Sequence, residues 1–327
     1  MTFTIRCVIH LCSLTFQLGI FLGVFSSPYA RVKRYREEHY FIDPSSGKKV
    51  QFSSLQDDPT VTLSVIIPAY NEQDRLPIML DECLEFLEER EKKTQGFTYE
   101  LIIVSDGSND RTVEVASDYS SKYGSEKIKV LELIKNRGKG GAVRLGMLSA
   151  RGAILLFADA DGATKFADIE KLEQYLSLLC KADIIKDQAA IAKKHAIVCG
   201  SRAHLEEEAV ASRTFFRTLL MHGFHLAVWL LATQKIRDTQ CGFKLLTRET
   251  AKICFSNLHV ERWAFDVELL YIADCFNIPV GEVAVTWTEI PGSKIVPVLS
   301  WIQMGRDLVL IWLRYKVGAW KLSKNPG

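Results

Sequence analysis

The chain has 327 residues with 48% hydrophobic and 24% charged side chains, which is ordinary for a globular protein of one large or two modest domains. Its net charge of +2 gives no bulk attraction to nucleic acid, so we expect no nucleic-acid partner. The eight cysteines are scattered without a CxxC pair, which argues against a zinc site or a disulfide framework and favours a reduced compartment.

Residues 1–30 are predicted to form an N-terminal transmembrane helix that anchors the chain. Positions 7–25 are almost continuously apolar, which is close to the length of helix that spans a bilayer. Basic residues crowd directly behind this run, so the positive-inside bias places the rest of the chain in the cytosol. A cleaved signal peptide is the alternative, with its cleavage region at 26–30. The basic residues are Arg31, Lys33, Arg34 and Arg36.

The chain after the anchor is predicted to contain a linker and then one large domain. Residues 31–60 are polar and basic and form the predicted linker. From 61 to 290, short β-branched strands alternate with helical patterns, which predicts an α/β fold with a mostly parallel sheet and helices on both faces. The predicted strands cover 63–67, 101–104, 128–134, 154–157 and 195–199. The predicted helices cover 76–87, 110–116, 140–150, 215–231 and 266–275.

The C-terminal segment, residues 291–327, is predicted to be an amphipathic helix with a tail. Residues 295–315 are apolar except for polar positions that recur every three to four residues and form one stripe along a helix. Such a helix lies in a membrane interface or packs on the core of the domain, and both alternatives are open. The stripe consists of Ser300, Gln303, Arg306, Asp307 and Arg314.

Polar and charged residues that could bind a ligand or take part in catalysis are concentrated in four loops that follow predicted strands. Sheets of this kind bind ligands beyond the carboxyl ends of their strands, so these loops should meet at one edge. Their sequences are PAYNE at 68–72, SDGSND at 105–110, KNRGKGG at 135–141 and DAD at 159–161.

Asp159 and Asp161 are the predicted metal ligands. They stand two positions apart after a buried strand, and Mg²⁺ or Mn²⁺ prefers one or two carboxylates together with substrate phosphates. A metal held there would neutralise a diphosphate leaving group. A pair of capping or surface aspartates is the alternative, because aspartates are common in turns.

The loop at 135–141 is predicted to bind an anion. It offers cationic side chains and exposed backbone amides at the start of a helix, where anions bind well. It has no Lys-Ser/Thr pair after the glycines and is not a GxGxxG sequence after the first strand, which disfavours a P-loop kinase and a dehydrogenase. A plain basic turn is the alternative.

Taken in order, the four loops resemble those of the family 2 inverting glycosyltransferases, whose A-type fold is Rossmann-like. Three later motifs, GSR at 200–202, RDTQCGFK at 237–244 and ERWAFDVE at 261–268, look like the polyprenyl-phosphate branch of that family. The resemblance extends over nearly the full length, anchor included. The sequence departs from the family pattern at Ser105, where an aspartate that could bind the base is usual.

The resemblance implies a nucleotide-sugar half at 61–165, an acceptor half at 166–290, and a role for each matching residue. The implied catalytic residues are Asp159, Asp161, Asp238 and Asp266, of which the first two hold the metal. The implied nucleotide-sugar ligands are Pro68, Tyr70, Glu72, Asp106, Lys135, Arg137 and Lys139. The implied acceptor-phosphate ligands are Arg202, Arg213 and Arg217, for which salt bridges on a helix surface are the alternative. Gln240 and Trp263 would complete the sugar and acceptor site.

The resemblance also implies the reaction, which is transfer of glucose from UDP-glucose to dolichyl phosphate with inversion, dependent on Mg²⁺ or Mn²⁺. The product would donate glucose for lipid-linked oligosaccharide assembly in protein N-glycosylation, and the chain would lie in the endoplasmic reticulum membrane with its catalytic domain facing the cytosol. Mannose transfer from GDP-mannose is one alternative. A nucleotide-sugar binding protein without turnover is another.

Overall fold

The computed structural model describes residues 27–204, 236–290 and 297–324. The predicted anchor run at 7–25, the helix predicted at 215–231, and both Arg213 and Arg217 lie outside these residues. Within the described ranges, no helix combines the length and the apolar character needed to cross a membrane.

The centre of the described part is a seven-stranded sheet, with a separate two-stranded hairpin beside it. The strands, in chain order, are β1 (Tyr40–Ile42), β2 (Lys49–Gln51), β3 (Val61–Ala69), β4 (Tyr99–Ser105), β5 (Ile128–Glu132), β6 (Gly152–Ala158), β7 (Ile197–Ser201), β8 (Phe243–Thr247) and β9 (Val280–Ala284). The sheet has the order β5-β4-β3-β6-β8-β7-β9, and β1 pairs with β2.

Neighbouring strands of the sheet are parallel except at β8, which is antiparallel to both β6 and β7. All residues of β4 and β6 are buried, as expected of strands covered on both faces. The prediction of a mostly parallel α/β sheet is therefore confirmed. Because β8 runs in reverse, its first residue, Phe243, pairs with Ala158 at the end of β6. The loop that precedes β8 thus reaches the edge where the parallel strands end.

Helices cover both faces of the sheet. They are α1 (Leu76–Lys93), α2 (Thr112–Tyr123), α3 (Lys139–Leu148), α4 (Ile169–Cys180), α5 (Gln188–Ala192), α6 (Arg248–Asn257), α7 (Phe265–Cys275) and α8 (Pro297–Lys316). One core cluster includes Leu80 of α1 and Leu172 of α4. The other includes Val143 of α3, Phe255 of α6 and Leu269 of α7. The sequence did not predict α4, α5, α6, β8 or β9, because their apolar runs are short or interrupted by charged residues.

The segment predicted as a linker at 31–60 is instead folded against the domain. It contains a 3-10 helix, Glu37–His39, and the β1–β2 hairpin. Phe41, Phe52 and Leu55 are buried in the core cluster of α3 and α6. Their isolated apolar positions gave no periodic pattern, so tertiary packing rather than local propensity orders this segment.

Helix α8 packs on the domain through its C-terminal half. Leu308 and Ile311 are buried, and the Tyr315 hydroxyl donates a hydrogen bond to Glu268 at 2.8 Å. The backbone amide of Lys321 donates to the carbonyl of Pro28 at 2.7 Å, so both ends of the described chain meet. Packing on the core is the alternative that these contacts support, and a membrane role for the opposite side of α8 stays a prediction.

Candidate active site at the carboxyl edge of the sheet

The four loops singled out in the sequence lie together at the edge where β3, β4 and β6 end. The amide of Asp106 donates to the carbonyl of Ala69 at 2.8 Å, which joins the loops after β3 and β4. The amide of Asp159 donates to the carbonyl of Gly242 at 3.0 Å, which joins the loop after β6 to the loop before β8. The site is therefore built by adjacent strands, as the rule for such sheets requires.

Asp159 forms an ion pair with Lys139, the first residue of α3. The Lys139 Nζ lies 2.6 Å from Asp159 Oδ1, and the two side chains are 14% and 35% exposed. Burial lowers the pKa of Lys139, but the charges of Asp159 and Asp266 raise it by more, so the net pKa lies above its usual value. A protonated lysine therefore contacts one of the two predicted metal ligands.

Asp161 lies on the turn that follows Asp159. Its Oδ1 accepts a hydrogen bond from the amide of Ala163 at 3.0 Å. Burial raises the pKa of Asp161, and the negative charge of Asp159 raises it further. The charge of Asp159 thus disfavours ionisation of Asp161, a cost that a shared cation would relieve.

The residues present fit a hard divalent cation that takes most of its ligands from outside the protein. Lys139 already stands in for a cation at Asp159. Among the described residues, no group of three or more His, Cys, Asp or Glu side chains could hold a metal ion. Mg²⁺ commonly binds one or two carboxylates and completes its shell with phosphate and water. Asp159 and Asp161 match that pattern.

Gly242 allows the loop before β8 to approach Asp159 closely. A Cβ at this position would lie 1.9 Å from Asp159 Oδ2 and 2.2 Å from its Cγ. Real Cβ atoms do not approach other atoms so closely, so any larger residue would displace the carboxylate. Gly242 lies in the motif RDTQCGFK, but no pattern in the sequence predicts its close approach to Asp159.

The glycine-rich loop binds an anion from the protein itself, the carboxylate of Asp106. The amide of Arg137 donates to Asp106 Oδ1 at 2.7 Å, and that of Gly138 donates to Oδ2 at 2.8 Å. The amide of Gly141 donates to the carbonyl of Glu261 at 2.8 Å. The prediction of exposed amides was wrong for these three positions, because other parts of the chain already satisfy them.

Asp106 therefore holds the loop in the described structure, whereas the family resemblance implied a contact with uridine. Burial raises the pKa of its carboxyl to about 6, although the two amide hydrogen bonds oppose that shift. Ser105, at the position where the family usually has an aspartate, is fully buried and its hydroxyl pairs with that of Ser108 at 3.1 Å.

Two basic side chains of this loop, Lys135 and Arg137, face the segment that follows the predicted anchor. Arg137 Nη2 lies 3.2 Å from Glu38 Oε2, and Nη1 donates to the carbonyl of Lys33. Lys135 and Arg137 both lie beside the ring of Tyr35, at 5.9 and 5.7 Å from its centroid. Sequence reasoning missed Glu38 because no local pattern distinguishes it.

The loop after β3 presents Tyr70, which is 37% exposed, and Glu72, which is nearly buried. Both oxygens of Glu72 accept hydrogen bonds from Arg75 at 2.7 Å. Burial lowers the pKa of Arg75, but Glu72, followed by Asp161 and Asp159, raises it overall. Arg75 is thus a cation of the site that was not predicted from the sequence. Its position three residues after Glu72 was the available indication of their ion pair. Pro68, the second-to-last residue of β3, stiffens the strand end.

In the part of the domain predicted to be the acceptor half, Arg202 forms a bidentate pair with Asp238. Its Nε and Nη2 donate to the two carboxylate oxygens at 2.8 and 2.9 Å. Burial raises the pKa of Asp238, but Arg202 lowers it by more, so the net pKa lies below the usual value. The amide of Asp238 in turn donates to Glu282 of β9 at 2.9 Å.

Beneath this pair lies a fully buried ion pair between Lys244 of β8 and Asp266 of α7. The Lys244 Nζ is 2.6 Å from Asp266 Oδ1 and also donates to the carbonyls of Thr239 and Cys241 at 3.0 and 2.7 Å. Asp266 is buried rather than exposed at the surface of the site, and its carboxylate contacts Lys244; its catalytic role stays a prediction. A lysine in the otherwise apolar strand sequence FKLLT indicates a buried acidic partner, and this indication was not used to predict the pair.

Gln240 and Trp263 lie on the loops that lead into β8 and α7. The amide of Gln240 donates to Asp238 Oδ1 at 3.2 Å, and its side-chain Nε2 is buried without a partner in the described ranges. Trp263 is 37% exposed. Both positions suit the rim of a sugar site, and that role stays a prediction.

Comparisons with known proteins identify the family of the chain. Residues 64–252 match the model of the family described as glycosyl transferase family 2. The dolichyl-phosphate beta-glucosyltransferase of Drosophila melanogaster is 61% identical over 298 residues, which are 91% of this chain and 89% of that protein. The Homo sapiens protein of the same name is 57% identical over 292 residues, or 89% and 87% of the two chains. Glucosyl-3-phosphoglycerate synthase of Mycobacterium tuberculosis, solved with Mn²⁺, uridine diphosphate and phosphoglyceric acid, has a TM-score of 0.47, 19% identity and 79% coverage of each chain.

Proposed function

This chain belongs to glycosyl transferase family 2 and, within it, to the dolichyl-phosphate beta-glucosyltransferases, and on that premise we propose that it transfers glucose from UDP-glucose to dolichyl phosphate. The identity to the named relatives over about nine-tenths of the chain is the observation that carries the proposal. The pair of carboxylates beside a cation at the strand edge supports the use of a diphosphate leaving group.

The reaction we propose is a single in-line displacement at the anomeric carbon of glucose. An oxygen of the lipid phosphate forms a bond to that carbon while the bond to the β-phosphate oxygen of UDP breaks, and UDP leaves with the electron pair. A phosphate monoester is already an anion at neutral pH, so the acceptor needs orientation rather than deprotonation. The configuration at the anomeric carbon is inverted.

Asp159 and Asp161 would hold Mg²⁺ or Mn²⁺ at the leaving group, where the metal neutralises the charge that develops on the diphosphate. Lys139 and Arg75 add protein cations on the same side of the site. Tyr70, exposed at the rim, would stack on the base.

Arg202 would orient the acceptor phosphate. Two of its donor atoms are bonded to Asp238, and a guanidinium carries five N–H groups, so the bidentate pair leaves donors to meet phosphate oxygens. Asp238 would then act as the residue that fixes the direction of Arg202. Arg213 and Arg217, which lie outside the described residues, are proposed to complete the phosphate site.

We place the enzyme in the endoplasmic reticulum membrane, anchored by the N-terminal helix and with the catalytic domain in the cytosol. The apolar run at 7–25 and the basic residues behind it support this orientation. The side of α8 that faces away from the core would lie against the membrane interface.

Transfer of label from a sugar donor to lipid tests the proposal. Membranes that contain the full chain are given dolichyl phosphate, Mg²⁺ or Mn²⁺, and radiolabelled UDP-glucose or GDP-mannose in parallel. We expect label from UDP-glucose alone in an organic-soluble, mild-acid-labile lipid, lost in Asp161→Asn and kept in Asp118→Asn, which changes an exposed aspartate on α2. Transfer from GDP-mannose instead would overturn the donor. Absence of a lipid product from either donor, in a folded protein, would favour the binding protein without turnover.

A further inference from the structure

We propose that the Lys139 ammonium substitutes for the metal at the carboxylate of Asp159 while no nucleotide is bound. The nucleotide diphosphate then attracts Lys139 away from Asp159, which allows the metal to bind. This inference rests on the proposed function, because only a cation at Asp159 would compete with the lysine. Its consequence is that metal and nucleotide bind cooperatively rather than independently.

The contact itself carries the first step. The Lys139 ammonium lies 2.6 Å from Asp159 Oδ1, which is the distance of a strong charge-assisted hydrogen bond. A divalent cation bound to the same carboxylate would stand next to that ammonium and repel it. The metal therefore cannot bind Asp159 favourably while Lys139 keeps this position.

The surroundings of Lys139 decide where it can move. It is the first residue of α3, so its backbone is fixed, and Gly140 packs so tightly on Phe265 that a Cβ there would be 2.5 Å from the Phe265 Cβ. Its side chain is 14% exposed, so it cannot simply extend into water. A diphosphate oxygen in front of Asp159 would give the ammonium a new anionic partner near its present one. Binding of the nucleotide thus removes the Lys139 ammonium from Asp159 and at the same time adds phosphate oxygens as metal ligands.

A simpler role for Lys139 makes a different prediction. If the lysine were only a phosphate ligand, its loss would weaken nucleotide binding and leave the affinity for metal alone unchanged. If it occupies the metal position, its loss must tighten metal binding in the absence of nucleotide. The two roles are therefore separated by a measurement of metal binding that needs no turnover.

The test measures Mn²⁺ binding to the full chain in detergent, from the electron paramagnetic resonance signal of free Mn²⁺, with and without UDP. For the native chain we expect UDP to tighten Mn²⁺ binding at least about tenfold. Lys139→Met should bind Mn²⁺ alone about tenfold more tightly than the native chain, and UDP should then add little. Lys139→Gln provides a second uncharged variant, and thermal unfolding shows whether each is folded.

Lys135→Met is the matched control, because Lys135 lies in the same loop but contacts Tyr35 rather than Asp159. It should leave the affinity for Mn²⁺ alone unchanged, which excludes a general loss of positive charge as the cause. Unaltered Mn²⁺ affinity in both folded Lys139 variants would overturn the inference. Mn²⁺ binding with UDP that survives Asp161→Asn would instead overturn the proposed metal site, so the two failures are distinguishable.

Discussion

Glu38 Oε2 lies 3.2 Å from Arg137 Nη2, although 99 positions of sequence separate the two residues. Glu38 is fully buried, and it also accepts hydrogen bonds from the amides of Tyr35 at 2.9 Å and Ile134 at 3.1 Å. The segment after the predicted anchor therefore supports the glycine-rich loop from outside, while Asp106 holds it from inside. The glycine-rich loop is thus held partly by chain that precedes the sheet.

Glu38→Gln is expected to weaken donor binding. The amide keeps the size of the side chain but removes the charge that Arg137 faces, so the loop that carries Lys139 is less firmly held. We expect the KM for UDP-glucose to rise about tenfold, with a smaller change in kcat and none in the KM for dolichyl phosphate. Steady-state kinetics with each substrate varied provide the measurement.

Glu37→Gln is the control for this variant, because Glu37 is the exposed neighbour of Glu38 in the same short helix. It should behave as the native chain. If Glu38→Gln lowers only the temperature of unfolding and leaves the KM for UDP-glucose unchanged, Glu38 stabilises the fold without positioning the donor site.

Because Asp106 holds the glycine-rich loop, we expect UDP-glucose to bind more weakly at mildly acidic pH. Burial raises the pKa of its carboxyl to about 6, and the charged form accepts hydrogen bonds from the amides of Arg137 and Gly138. Protonation replaces one acceptor with an O–H group, so the loop loses a hydrogen bond as the pH falls through this value. We expect the KM for UDP-glucose to rise roughly fourfold between about pH 7 and about pH 5.5, measured at saturating dolichyl phosphate.

The raised pKa of Asp106 has the opposite effect on the stability of the fold, because acid increases the free energy of unfolding through this group. Because the folded chain binds this proton more tightly than the unfolded chain, the charge of Asp106 lowers the free energy of unfolding above about pH 6, and acid removes that cost. The rise in KM should therefore appear without a matching fall in the temperature of unfolding. A KM that stays constant over this range would contradict a holding role for Asp106.

The sheet and the position of the site could be predicted from sequence, because both depend on local patterns. Short apolar runs mark β3, β4 and β6, and a general rule places ligands at their carboxyl ends. The partners of the site residues could not be predicted in the same way. Lys244 and Asp266 are 22 positions apart, and only the packing of α7 under β8 brings them together.

The glycine-rich loop shows why a correct motif can still mislead about chemistry. Its glycines and lysines were recognised, and its amides do bind an anion at a helix start. That anion is Asp106, however, because Gly107 allows the loop after β4 to approach so closely that a Cβ would lie 2.8 Å from the Asn136 amide. Such a contact between loops has no signature in either loop alone.

Gly242→Ala is expected to abolish transfer while the fold is kept. The added Cβ would lie 1.9 Å from Asp159 Oδ2, so the carboxylate must move away from its position beside Lys139 and Asp161. We expect kcat/KM to fall at least about a hundredfold and Mn²⁺ binding with UDP to be lost. Gly305→Ala on α8, where a Cβ would meet nothing within 4 Å, is the control and should retain both. Near-native activity of Gly242→Ala would mean that Asp159 can act from another position.

The buried pair of Lys244 and Asp266 predicts different outcomes for stability and for function. Lys244→Met leaves the Asp266 carboxyl without its partner in an apolar interior and removes a hydrogen-bond donor from the carbonyls of Thr239 and Cys241. Thermal and urea unfolding should therefore show that the free energy of unfolding falls by about 3–5 kcal/mol. Adding Asp266→Leu removes the unpaired carboxylate, and the double variant should recover most of that loss, since apolar replacement of a buried ion pair is often neutral. Transfer of glucose should stay low in both, because the ammonium that fixes the 239–241 loop, next to Asp238, is absent from each. Full activity in a stable double variant would show that the pair serves folding alone, whereas stability without activity would show that glucose transfer needs the Lys244–Asp266 pair beyond its effect on folding.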